Sequence, residues 1–193
     1  MNKLDWEKGF TLDFALSNGL SKGAKSTKRT LSQMQDMYLD ADAAKNLVES
    51  GDPLVYEFYE VGAPEHEGDV AFGTSITYPG KVGKEYFMTK GHFHTILETA
   101  EVYLTLSGSG YMLTENPDGD VQLHKLSAGE AVYVPKCYAH RTINTGDTPL
   151  VTFFAFRGDA GHDYGTIETR GYRKLVLEGE DGKATVVDNP KWK

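Results

Sequence analysis

The feature that most constrains this chain is a run of short, β-prone segments from Leu54 to Arg157 with no helical stretch between them. The first, LVYEFYEV, alternates in polarity and is rich in β-branched and aromatic residues, so it reads as a strand. DVAFGTSITY, EYFMTKGHFH, AEVYLTLSG, GYMLTEN, DVQLHKLS, AVYVP, HRTINTG and LVTFFAFR follow, and RKLVLEG and KATVVD come near the end. The breaks carry turn chemistry: PGKVG, SGSG, NPDGD, SAGE, NTGDTP and EGEDGK. An α/β fold needs helices between its strands, and residues 54–157 offer none. Many short strands at this spacing predict a sandwich or closed barrel.

The residues before Leu54 differ. Asp40 is placed to cap a helix through Ala43, Ala44, Leu47 and Val48 that stops at Gly51, with Pro53 preventing continuation. The pattern divides the chain into 1–53, an extension packing on the barrel, and 54–193, the barrel with its C-terminal strands. The two together are expected to form one structural domain.

The formal charge of -8 argues against a nucleic-acid backbone or an anionic membrane as partner. It leaves room for a phosphorylated small molecule, which a metal and a few backbone N–H groups can bind. Cys137 is the single cysteine, so no internal disulfide forms. MNKLDWEKGF lacks a secretory h-region and no apolar run reaches membrane length, so a cytoplasmic location is expected.

The chemistry concentrates in KGHFHTILETAEVY, Lys90 to Tyr103. On a strand His92 and His94 point the same way. Glu101 lies nine residues after His92, an odd offset, so TILETA must turn the chain if the carboxylate is to join them. After such a turn Glu101 and Tyr103 share a face. His140, Thr142 and Asn144 share one on a later strand, launched after Pro135. Three imidazoles and a carboxylate suit a first-row divalent metal and exclude a Cys-rich structural zinc site. A six-coordinate ion would keep positions open, which favours iron, manganese, nickel or cobalt over zinc. His66 and His124 read as ordinary surface or satisfied histidines.

These residues resemble the two cupin motifs: His92, His94, Glu101 and Gly108 in the first, Gly129, Pro135, His140 and Asn144 in the second. Ordinary cupins place fewer residues between the second His and the Glu than the six found here, and often have glycines where this chain has Tyr86 and Cys137. The longer spacing, with YPGKVGKEYFMTKGHFH, AEVY, VYVPKCYAHRTINTGD, DAGHDYGTI and VVDNPKWK, is similar to the cupin-type phosphoglucose isomerases, first associated with archaea. The likeness covers nearly the whole chain.

That resemblance implies an all-β, double-stranded β-helix barrel of the cupin type, with extra N-terminal strands and one or two short helices, assembled as a homodimer. It implies one divalent metal per subunit, Fe²⁺ first, with Mn²⁺, Ni²⁺, Co²⁺ and Zn²⁺ as alternatives, held by His92, His94, Glu101 and His140. It implies a sugar phosphate held near Tyr56, Ser75, Thr89, Gly91, Tyr103, His162 and Tyr164, with Glu101, His162 and Tyr103 as catalytic groups. Ser75 stands where the family leads us to expect threonine, and the hydroxyl is kept. The implied reaction interconverts glucose 6-phosphate and fructose 6-phosphate, through a cis-enediol with Glu101 as base or through a hydride shift.

On the residues themselves, the Thr89 hydroxyl and Gly91 N–H are placed to grip a phosphate, since glycine lets backbone come close. Lys90 between them reads as solvated, and so does Arg141 beside His140. His162 and Tyr164 fall on one side of an extended GHDYGT segment. Two other functions use the same ligands: an iron-dependent cupin dioxygenase and a non-catalytic sugar-binding cupin.

Overall fold

The structure is a computed structural model that describes residues 4–19 and 25–192. Its strands are β1 (Thr27–Thr30), β2 (Leu54–Val61), β3 (Val70–Thr77), β4 (Lys81–Val82), β5 (Glu85–Tyr86), β6 (Glu101–Ser107), β7 (Ser109–Glu115), β8 (Val121–Ser127), β9 (Ala131–Val134), β10 (Ala139–Asn144), β11 (Leu150–Arg157), β12 (Lys174–Glu178) and β13 (Ala184–Asp188). Two α-helices, α1 (Ala41–Gly51) and α2 (Gly165–Arg170), complete the regular structure with two short 3₁₀ turns.

A six-stranded sheet runs in the order β1-β2-β3-β11-β6-β9 and a three-stranded sheet in the order β10-β7-β8. Strands distant in sequence become neighbours because the chain passes back and forth between the two sheets, which is the winding of a double-stranded β-helix. Met112 and Leu126 of the small sheet pack on Tyr103, Val132, Val134 and Phe154 of the large one. A third sheet, β13-β12-β5-β4, extends one side.

The capped helix forms as expected. The Asp40 carboxylate accepts from the Ala43 N–H at 2.9 Å, an arrangement typically worth about 1 kcal/mol. Its buried face, through Ala44, joins Leu31, Met34 and Tyr38 against Val55 and Met88. Further upstream, Trp6 and Phe10 pack on Phe72, and Phe14 on Tyr59 and Phe153. Among the described residues no helix is long and apolar enough to cross a membrane.

One predicted strand breaks up. EYFMTKGHFH contributes only β5, followed by single bridges at Met88, His92 and Phe93. Met88 faces Ile143 while His92 faces His140, so four residue steps on this segment span three on β10. The extra residue is absorbed as a bulge, at which Gly91 takes φ +75°. A Cβ there would meet the Tyr172 hydroxyl at 2.4 Å and the His140 carbonyl at 2.8 Å, so only glycine fits. The GHDYGT segment is extended as far as the Phe93–Asp163 bridge, and then winds into α2.

Candidate metal centre and active site

Glu101 opens β6, and the preceding TILETA does turn the chain: the Thr99 N–H donates to the Ile96 carbonyl. His140 sits near the start of β10. It exchanges backbone hydrogen bonds with His92, at 3.3 Å and 3.1 Å, which sets their rings 4.5 Å apart. The Glu101 Oε2 lies 2.8 Å from His140 Nε2 and 3.1 Å from His94 Nε2. One potential ligand atom from each of His92, His94, Glu101 and His140 lies within 4.8 Å of all the others, and all four residues are buried.

The ring of His94 is oriented from behind. Its Nδ1 meets the Thr99 carbonyl at 3.2 Å and the Thr99 hydroxyl at 2.7 Å. That hydroxyl donates its proton to the Ile96 carbonyl, so both Thr99 oxygens accept. Nδ1 therefore carries the proton and Nε2 presents a lone pair inward. His92 Nε2 is buried with no hydrogen-bond partner among the described residues.

The electrostatics agree with a cation among these donors. Burial holds the His92 pKa well below the usual imidazole range, and the neighbouring His140, His162 and His94 push it the same way, so the ring is neutral and able to ligate at pH 7. Burial alone would raise the Glu101 pKa. His140 and His94 outweigh it and hold the carboxyl at about 2, so the group stays anionic. A buried anion is costly unless a cation joins it, and the donor set is that of a first-row divalent ion. The residues fit the expected metal.

The cavity beside this cluster is lined by all seven expected substrate residues, Tyr56, Ser75, Thr89, Gly91, Tyr103, His162 and Tyr164, together with His92, Glu101 and His140. His94 joins through its contact with Glu101. Tyr103 donates to the Glu101 carboxylate, and burial followed by that carboxylate pushes its pKa well above 10. Burial lowers the His162 pKa, against the opposing pull of Glu101, so His162 is neutral at pH 7. The cavity measures about 60 Å³, against about 300–1,000 Å³ for sites that enclose a small ligand.

The sequence reading missed five residues lining the cavity: Phe58, Glu60, Thr142, Phe154 and Phe156. Period-two alternation offered the signal, because Phe58 and Glu60 share the face of Tyr56 and Thr142 that of His140. Arg141 is corrected outright: it is 3% exposed rather than solvated. It points to the opposite face of β10 from His140, over the Tyr172 ring at 4.1 Å. Lys90 lies away from the cavity, paired with Glu168. His66 is exposed beside Asp69 and His124 lies on β8, both apart from the donor cluster.

An antiparallel double-stranded β-helix with three imidazoles and a carboxylate converging inside it defines a cupin with a donor cluster able to hold a metal. The family model for glucose-6-phosphate isomerase (GPI) matches residues 28–193. Glucose-6-phosphate isomerase of Pyrococcus furiosus is 50% identical over 96% of this chain and 96% of that one. The enzyme of Thermococcus litoralis is 49% identical with the same coverage. That of Sinorhizobium medicae is 35% identical over 92% of this chain and 84% of its own length. The chain belongs to the glucose-6-phosphate isomerase family.

Proposed function

We propose that this chain interconverts glucose 6-phosphate and fructose 6-phosphate in the cavity between β2, β3, β6 and the bulged segment at Gly91. One observation carries the reading: a single cavity is lined both by members of a metal-donor cluster and by Tyr56, Ser75, Thr89 and Gly91. The second group supplies neutral N–H and O–H donors, the chemistry a phosphate needs. Neither a dioxygenase nor a passive sugar binder requires both groups.

His92, His94, Glu101 and His140 would hold one divalent ion, Fe²⁺ by our reading. When bound, the ion would act as a Lewis acid toward the sugar oxygens at C1 and C2. The phosphate-binding residues fix the substrate by atoms remote from the reacting carbons, so binding energy orients C1 and C2. Both imidazole contacts fall on Oε2 of Glu101, which leaves Oε1 for the proton moved between C2 and C1. Tyr103, donating to this carboxylate, holds its plane. Neutral His162 is suited to receive and return a proton during ring opening. Phe154 and Phe156 exclude water from the cavity wall.

A carboxyl held at about 2 is a weak base, and this favours a second route, direct transfer of hydrogen from C2 to C1. Substrate deuterated at C2 distinguishes the two. Loss of label to water marks proton transfer through Glu101, and retention at C1 marks the direct shift.

We place the enzyme in the cytoplasm as a homodimer. Exposed Val102 and Tyr133, paired across β6 and β9 on the outer face of the large sheet, offer an apolar surface for a second copy. The function is tested by a coupled assay of fructose 6-phosphate consumption run beside an oxygen electrode. Turnover without oxygen uptake supports the isomerase. Oxygen uptake, or no turnover, overturns it.

A further inference from the structure

The buried guanidinium of Arg141 stands directly behind the proposed phosphate-binding residues. Its Nη2–H donates to the Lys90 carbonyl at 2.6 Å, and Nη1 contacts the Met88 sulfur at 2.8 Å. Its Nε has no hydrogen-bond partner among the described residues, and no carboxylate there lies within ion-pairing distance of it. The contact with Lys90 has a geometric consequence. A trans peptide is planar, with its C=O and N–H pointing in opposite directions. Holding the Lys90 carbonyl on the Arg141 side therefore turns the Gly91 N–H of the same peptide away from Arg141. That side is the cavity, which Gly91 lines. The Gly91 N–H makes no hydrogen bond to the described residues.

The charge points the same way. Among the described residues no lysine or arginine lines the cavity itself, and Arg29 reaches it only through its hydrogen bond to Tyr56. Arg141 interacts at a distance with the buried carboxylates of Glu85 and Glu115, and its positive charge also favours an anion on the far side of one peptide.

We infer that Arg141 is a positioning residue for the phosphate: from behind the metal-bearing strand it aims the Gly91 N–H into the cavity and backs the bound anion with positive charge. The inference rests on the isomerase reading. It assigns a role to a residue that touches neither the metal donors nor the substrate.

The test uses the full-length, metal-loaded protein, with inorganic phosphate as a competitive probe. Arg141→Met is expected to raise both KM for fructose 6-phosphate and Ki for phosphate about tenfold, the size of one lost charge-assisted contact. Metal content and kcat should stay within about twofold, a split that loss of packing alone does not produce. Arg141→Lys, the milder change, should fall between wild type and Met. A cavity of about 430 Å³ also borders Arg141, so added guanidinium should restore the phosphate Ki of Arg141→Ala. An unchanged phosphate Ki in Met and Lys variants overturns the inference while wild-type turnover keeps the isomerase standing. An inactive wild type overturns the isomerase reading itself.

Discussion

The two groups of residues at the cavity solve opposite problems. At the donor cluster, His92, His94, Glu101 and His140 crowd their potential ligand atoms within 4.8 Å of one another, close enough for one ion to take all four. Tyr56, Ser75, Thr89 and Gly91 offer neutral hydrogen-bond donors to the same cavity, and no lysine or arginine is among the described residues lining it. The first group depends on each member, since one missing ligand leaves a buried charge and an incomplete ion shell. The second shares its load, so single losses there should be graded. The same strands build both. β10 presents His140 on one face and Arg141 on the other, and the bulged segment between Met88 and His92 carries both Gly91 and a member of the donor cluster to the cavity.

That contrast can be broken by substitution. His140→Ala is expected to abolish metal binding and lower turnover by about a thousandfold or more. Full metal content by elemental analysis would remove His140 from the site. Glu101→Gln keeps the shape but not the charge. It should cost about a hundredfold in kcat while retaining part of the metal. Thr99→Val removes the hydroxyl contact to His94 Nδ1 and leaves only the longer carbonyl one, which should weaken metal affinity about tenfold, read by competition with a chelator. In the second group, Thr89→Val should raise KM about tenfold with kcat nearly unchanged. A loss of kcat and metal there would show that the two groups are not separable.

The smallest effect is on acid stability. His92 and His162 are held below the ordinary imidazole pKa, so the unfolded chain binds more protons. Their contribution is present above about pH 6.5 and lost as pH falls below it. The Glu101 carboxyl, held at about 2, adds a further loss between about pH 4.5 and 2. The melting temperature of metal-free protein should drop by a few degrees from pH 7 to 5. His92→Gln should flatten that slope.

The barrel was legible because its strands keep the period of two and their turns carry Gly, Asn, Asp and Pro. The donor cluster was legible because the spacing of His92, His94, Glu101 and His140 joins a motif to a donor set. Arg141 was not: next to His140 and charged, it looks solvated in sequence, and only the packing of Tyr172 and the Lys90 carbonyl shows why it is buried. The broken strand before His92 was missed for a related reason. Gly91 in a β-prone run signals a bulge only once its neighbour across the sheet is known. Phe154 and Phe156 were written into LVTFFAFR as a strand, yet which face met the cavity depended on the pairing of β11 with β6.

The most direct test is isomerase turnover with fructose 6-phosphate after chelation, with Fe²⁺, Mn²⁺, Ni²⁺, Co²⁺ and Zn²⁺ restored one at a time. Activity that vanishes with the metal and returns with at least one of these ions, Fe²⁺ foremost, is the predicted result. Full turnover in protein shown to be metal-free would contradict the account, because it would detach the reaction from the four residues around which the cavity is built.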